Sequence, residues 1–358
     1  MNSRAKLHYE LNTVNIGAFV LESGEVLHEV EVAYERTGNP GGPTILVCHA
    51  LTGNQFTVGT IEEPGWWSGL IGPEHIIDTH YFQIITFNVL GGCNGSTGPT
   101  SINPQTKKPY QGDFPYPTVR DLVHAQKKAL DQLGISSLHA VMGGSLGGMQ
   151  VMEWGILYPS FMDYLIVLAS TPEMSDYGMA FNRIAIEAIQ NDPAWNGGYY
   201  DASAQIKGLD IARMVGMVTY RTPQLFTDRF NRETKTEGFP AEYQIDSYLN
   251  YQGEKLRKRF DANSYLRLLH TMNNHDIGRG RGGWKKAASQ IKAPVLCLAY
   301  NGDLLYESTR IQEFADEVPN GTFIEVDTIF GHDGFLVEFE KWGPLLKEEL
   351  ETRKGEDD

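Results

Sequence analysis

The pentapeptide Gly143-Gly144-Ser145-Leu146-Gly147 sets a hydroxyl among glycines where a short apolar run, "LHAVMGG", gives way to the helix-like "GMQVMEWGILYP". Glycines around the serine suit a strand-to-helix turn with no room for Cβ atoms, a turn that lifts the Ser145 hydroxyl above a sheet. A helix N-terminus behind the serine favours negative charge developing beside it. A serine hydroxyl is a weak nucleophile and needs a base that is itself held by an acid. Asp303 follows the apolar run "VLCLAY", and His332 lies in the loop after "GTFIEVDT". The order Ser, Asp, His is the one this elbow requires, so the chemistry implied is acyl transfer or hydrolysis through an acylated Ser145. His49, His124, His139 and His275 lack that order and loop position and are expected in core, capping or surface roles. Two N–H groups should receive the oxyanion, one from Leu146 directly after the nucleophile and one from Leu51 in "HALTG", after an early strand.

The elements that carry these residues follow from hydrophobic patterning. "IGAFVLESG" and "LHEVEVAYERTG" alternate apolar and polar residues and predict an antiparallel edge. "PTILVCHALTG", "YFQIITFNVLGG", "LHAVMGG" and "MDYLIVLAS" are apolar runs of strand length, and "TVRDLVHAQKKALDQLGI" has helical spacing with Gly134 as a stop. From 173 to 290 the pattern is mainly helical. Alternation then resumes with "APVLCLAYNGD", "STRIQEFADEV", "GTFIEVDT" and "FEKWGPLLKEELETRK". Strands alternating with helices imply a mostly parallel sheet with helices on both faces. The expected fold is therefore α/β, an α/β-hydrolase fold. Its catalytic domain spans 1–172 and 291–358, and a helical lid, 173–290, is inserted in it.

Composition narrows the function classes. A net charge of −15 over 358 residues disfavours sequence-independent binding to nucleic acid or to an anionic membrane. The start, "MNSRAKLHYELNTVN", has no apolar core of signal-peptide length, and no apolar run approaches the ~20 residues that span a bilayer. Cys48 and Cys297 sit in apolar runs and Cys93 stands apart, which predicts free thiols in a reduced, cytoplasmic protein. "NVLGGCNGSTGPTS" lacks the Lys-Ser/Thr of a phosphate-binding loop and is expected to be a surface loop. In "HDIGRGRGG", His275 and Asp276 have no second cluster of ligand spacing, so no metal is expected. Arg279 and Arg281 in the same stretch are candidates for anionic phosphates, against a solvated turn. The acidic end "GEDD" is the one biased segment.

With these residues in view, the chain resembles the homoserine O-acetyltransferase family of α/β-hydrolase-fold acyltransferases. "HALTGN", "NVLGGCNGSTGPTSINPQTKKPY", "FPYPTVRDLVHAQKKALDQLGI", "GGSLGGMQVMEW", "ARMVGMVTYR", "RFDANSYL", "HDIGRGRG" and "GHDGFL" look like family blocks, in order, from about position 15 to 345. The resemblance implies that acetyl-CoA acylates Ser145, that His332 is the base and that Asp303 orients it. It implies L-homoserine as acceptor in methionine biosynthesis, with Arg213 on its carboxylate, Tyr220 lining the same tunnel and Asp333 near its amine. It also implies a homodimer formed through the lid and no permanently bound cofactor. Gly302 stands where the family commonly has Ser before the Asp. Relatives transfer acetyl or succinyl to homoserine or serine. The residues alone also leave open an esterase or thioesterase of this fold, or a non-enzymatic binding protein on the same scaffold.

Overall fold

Runs of Val, Ile and Leu with few polar interruptions are stable only where both faces of a sheet are covered. In the computed structural model, which describes residues 8–351, such runs form the centre of an eight-stranded sheet. Its strands are β1 (His8–Val20), β2 (Val26–Gly38), β3 (Thr44–Cys48), β4 (Gln83–Phe87), β5 (Leu138–Gly144), β6 (Met162–Leu168), β7 (Val295–Tyr300) and β8 (Gly321–Val326). They lie in the order β1-β2-β4-β3-β5-β6-β7-β8. β1 pairs with β2 and β2 with β4 antiparallel; every other pairing is parallel. The antiparallel edge and the parallel remainder agree with the patterning. The first residues of "MNSRAKLHYELNTVN" and the "GEDD" end lie outside the described residues.

Strand periodicity divides the core into two layers. Leu46 and Cys48 of β3 face a core shared with Leu122 and Val123 of α1 (Val119–Gln132), Met149 and Met152 of α2 (Leu146–Leu157) and Phe314. Ile45 and Val47 face the other layer, against Trp67, Trp342 and Leu346. A capping box starts α1: the Thr118 side chain accepts from the Asp121 N–H, and the Asp121 carboxylate accepts from the Thr118 N–H.

Between β6 and β7 the chain is mainly helical, with α3 (Asp176–Gln190), α4 (Lys207–Thr219), α5 (Pro223–Phe230), α6 (Gln244–Arg257), α7 (Ala262–Asn273) and the short α8 (Trp284–Ala288). Two of its elements escaped the hydrophobic pattern. Helix α5 is only eight residues long, although Thr222 caps it and Pro223 opens it. A small hairpin pairs Thr234–Thr236 with Glu242–Tyr243, and its first strand is fully exposed, so no apolar alternation marked it. After β7 come α9 (Ser308–Glu317) and α10 (Phe339–Glu351). No helix among the described residues is long and apolar enough to cross a membrane.

The 88–101 segment is not the surface loop expected. Asn88, Ser96 and Thr97 are buried, because their side chains serve backbone groups. Ser96 Oγ accepts from the Ala33 N–H and donates to the Asn88 carbonyl, while Thr97 Oγ1 accepts from the Glu31 N–H. Its many glycines and small polar residues let the loop thread against β2.

At the junction of β5 and α2, Ser145 has φ +58° and ψ −124°, a conformation that side chains rarely adopt. A Cβ at Gly143 or Gly147 would come 2.6 or 2.1 Å from the Cys48 carbonyl oxygen. Gly147→Ala should therefore push β3 and α2 apart and cost about 1–3 kcal/mol, the usual range for overpacking. Thermal unfolding should show a lowered midpoint. An unchanged midpoint would mean that the elbow has slack.

Candidate active site

Ser145 lines a cavity of about 240 Å³ together with Leu51, Arg213, Tyr220, His332 and Asp333. The six come from four separate segments of the chain. β3 leads into the Leu51 loop, α4 carries Arg213 and is followed by Tyr220, and the loop after β8 supplies His332 and Asp333.

Asp303 and His332 meet directly, with Asp303 Oδ2 2.7 Å from His332 Nδ1. The other Asp303 oxygen accepts the backbone N–H groups of Leu305 and Tyr306 at 2.8 and 3.1 Å, so the carboxylate is held on both sides. Gly302 precedes it at φ +76°, and a Cβ there would lie 2.7 Å from Thr222 Cγ2. A serine at that position would clash, which accounts for the glycine. Burial alone would press the His332 pKa down, but the charge and hydrogen bond of Asp303 outweigh it and hold the imidazole above its ordinary value. With Nδ1 engaged, Nε2 is the nitrogen left for a proton from a hydroxyl.

Three aromatic rings enclose that imidazole. Tyr306 stacks on it at 5.1 Å, Tyr220 lies 5.6 Å away and Phe335 presents its edge at 5.4 Å. The stacked Tyr306 offers its ring face to an imidazolium. The Tyr306 hydroxyl donates to Met174 Sδ at 3.9 Å and lies near Ser145, and burial raises its pKa.

Leu146 is the first residue of α2, where a helix has no acceptor for its N–H. Leu51 is buried in the loop beside Ser145. Among the described residues neither N–H has a hydrogen-bond acceptor. His49 fixes the Leu51 loop. Its Nδ1 donates to the Ala50 carbonyl at 2.7 Å and its Nε2 accepts from the Val89 N–H at 3.1 Å. Burial lowers its pKa to about 4, so it stays neutral. His275 bonds to the Thr171 carbonyl, and burial takes its pKa to about 3. His124 meets the Tyr158 hydroxyl and His139 the Leu350 carbonyl. None of the four faces the cavity around Ser145.

Of the substrate-site candidates, Arg213 sits with its guanidinium carbon 5.9 Å from the Tyr220 ring, and among the described residues it has no carboxylate partner. The Tyr220 hydroxyl lies close to that of Tyr265, and burial raises its pKa. Asp333 is already half engaged: Arg221 Nε donates to its Oδ2 at 2.9 Å, and Arg221 also donates to the Tyr248 hydroxyl at 2.5 Å. The Asp333 N–H donates to the Tyr220 carbonyl at 3.0 Å. The sequence reading passed over Arg221 and Tyr306. Arg221 was within reach as the last residue of "ARMVGMVTYR"; nothing in spacing marked Tyr306.

Arg279 and Arg281 are neither free phosphate ligands nor a solvated turn. Arg279 pairs with Glu22 at 2.7 Å, and Arg281 holds the buried Glu153 at 2.8 Å. Among the described residues no group of three or more His, Cys, Asp or Glu side chains is gathered as a metal site would need.

An elbow serine over a mostly parallel sheet, followed by an aspartate–histidine pair, defines an α/β-hydrolase-fold protein, and the family model described as alpha/beta hydrolase fold matches residues 43–339. A homoserine O-acetyltransferase of Symbiobacterium thermophilum is 44% identical, with 92% of this chain aligned to 90% of that protein. The crystal structure of homoserine O-acetyltransferase from Bacillus anthracis superposes with a TM-score of 0.89 at 28% identity, covering 96% of this chain and 98% of that one. The structure of esterase E22 gives 0.88 at 27% identity, covering 96% and 100%. The chain belongs to the homoserine O-acetyltransferase family of enzymes.

A histidine base must be neutral to accept a proton, so the acid limb of activity should follow the His332 pKa. Asp303→Asn removes the charge that opposes burial, so that limb should move to lower pH. The kcat should fall by about 10³–10⁴, as in other triads that lose this acid. A pH–rate profile checks both. An acid limb that stays in place would detach Asp303 from the base.

Proposed function

We propose that the protein transfers the acetyl group of acetyl-CoA to the side-chain hydroxyl of L-homoserine in two steps through acetyl-Ser145. The observation that carries this reading is the 2.7 Å Asp303–His332 pair opening onto one small cavity with Ser145, two arginines and a second aspartate. In the first step Ser145 Oγ attacks the thioester carbon while its proton passes to His332 Nε2. The oxyanion collects the Leu51 and Leu146 N–H bonds, and collapse expels the CoA thiolate, which takes the proton from His332. In the second step the homoserine hydroxyl gives its proton to His332 and attacks the acetyl-enzyme. Ser145 leaves with that proton and is restored.

A zwitterionic acceptor needs both signs of charge. Arg213 offers a planar fork to the carboxylate, and Asp333 keeps one oxygen free of Arg221 for the amine. Residues 173–290 act in this reading as a lid over the cavity, supplying Arg213 and Tyr220. Tyr177 and Ile184 on α3, with Ile211 and Val218 on α4, are exposed apolar residues two turns apart. Such faces support a homodimer formed through the lid. The free cysteines support a reduced, cytoplasmic setting.

Hydrolysis is the second reading, because esterase E22 shares the fold closely. The two part at the second step, where water or a bound hydroxyl attacks. Incubation with acetyl-CoA alone should add one acetyl mass to the wild-type protein and none to Ser145→Ala. L-Homoserine should then speed thiol release and yield O-acetylhomoserine; free acetate at the same rate with or without it would favour the esterase.

Arg213→Lys should raise the homoserine KM by about 10–100-fold, the loss expected for a charge-assisted fork, and leave acylation by acetyl-CoA intact. Equal losses in both half-reactions would remove Arg213 from the acceptor site.

A further inference from the structure

A second cavity, of about 430 Å³, lies between α5 and the start of α6. Phe226, Phe230, Tyr243 and Ile245 form its apolar walls, and Arg232 and Glu233 also line it. It is tied to the first cavity through Tyr248. The Tyr248 hydroxyl accepts from Arg221, which lines the cavity of Ser145, and its ring packs on Phe230 at 5.1 Å.

In a protein of net charge −15, Arg221, Arg229 and Arg232 fall within one short stretch, beside Asp228 and Glu233. Arg229 and Arg232 are exposed. Arg229 lies 4.5 Å over the Tyr248 ring and Arg232 5.6 Å over that of Tyr243. Among the described residues neither is paired with a carboxylate, unlike Arg279 and Arg281. Aromatic walls suit a nucleobase, and guanidinium groups fixed by ring stacking suit phosphates. Glu233 offers an acceptor of the kind an exocyclic amine takes.

The donor proposed above carries such a group at the far end of a long flexible arm, an adenosine bearing a 3′-phosphate and a 5′-diphosphate. We propose that the α5–α6 cavity holds the phosphorylated adenosine of CoA, with Arg229 and Arg232 on its phosphates and the base against Phe226, Phe230 and Tyr243. The arm then passes Tyr248 to bring the thioester to Ser145. This rests on acetyl-CoA being the donor.

The test is steady-state kinetics of Arg229→Ala and Arg232→Ala with three donors: acetyl-CoA, its 3′-dephospho form, and S-acetyl-N-acetylcysteamine, which has no nucleotide. Both side chains are exposed, so the variants should fold normally. Each should raise the acetyl-CoA KM about tenfold, the worth of one charge-assisted phosphate contact. The homoserine KM, and turnover with the nucleotide-free donor, should not change. The arginine on the 3′-phosphate should lose its effect with dephospho-acetyl-CoA. An unchanged acetyl-CoA KM, or an equal loss with the nucleotide-free donor, would overturn the subsite while leaving acyl transfer intact. An unchanged KM with a lighter species in sedimentation would instead mark the cavity as an interface between copies of the chain. No thiol release from acetyl-CoA by the wild-type protein would overturn the donor reading and the subsite with it.

Discussion

Ser145 is held in a backbone conformation it would not choose, and the surrounding architecture follows from that. Its φ of +58° costs of order 1–3 kcal/mol for a residue with a side chain, so neighbouring contacts must over-determine it. Its N–H donates to the Leu168 carbonyl of β6, and its carbonyl accepts from the Met149 N–H of α2. Gly143 and Gly147 let both arms of the turn press on the end of β3. That close approach also brings the loop after β3, and with it Leu51, to the side of the nucleophile. The elbow and the anion site are thus one packing solution.

Behind the elbow the polar groups of α2 are unusually well anchored for a buried helix. Gln150 donates to the carbonyls of His49 and Leu146 and accepts from Gln126, which in turn accepts from Trp154. One turn on, Glu153 is gripped by Arg120 of α1 and by Arg281. A buried carboxylate with two guanidinium partners adds little net stability but is costly to leave unpaired, so it fixes the register of the elements around it. Arg281 is thereby accounted for as a strut between the chain after α7 and the helix behind Ser145, while Arg279 ties the same stretch to Glu22 in the turn between β1 and β2.

How much of this was legible depended on whether a residue's role was written in local pattern. The elbow, Asp303 and His332 could be read because backbone strain restricts residue choice next to Ser145 and because chain order restricts where its partners fall. The alternation of strands and helices was equally plain, since periodicity reports burial directly. The 88–101 segment misled, because its small polar residues are those of a surface turn, and only the tertiary neighbours Glu31 and Ala33 make them interior. The hairpin after α5 misled for the opposite reason: its first strand is exposed on both faces and has no apolar rhythm to betray it. Tyr306 owes its position beside Ser145 to contacts between distant segments that no spacing rule reports, whereas Arg221 closes a block already singled out.

Helices that cover a cavity invite the picture of a hinged cover, but the seam here is stitched to the base itself. The Tyr220 carbonyl takes the Asp333 N–H, Arg221 grips the Asp333 carboxylate, and Thr222 bonds to the Ile329 carbonyl. Three consecutive residues after α4 are therefore fastened to the segment that carries His332. Lifting the helices as a rigid flap would have to break these ties or pull His332 away from Asp303. The wall of the cavity and the segment bearing His332 are thus joined by backbone and side-chain bonds into one packed unit.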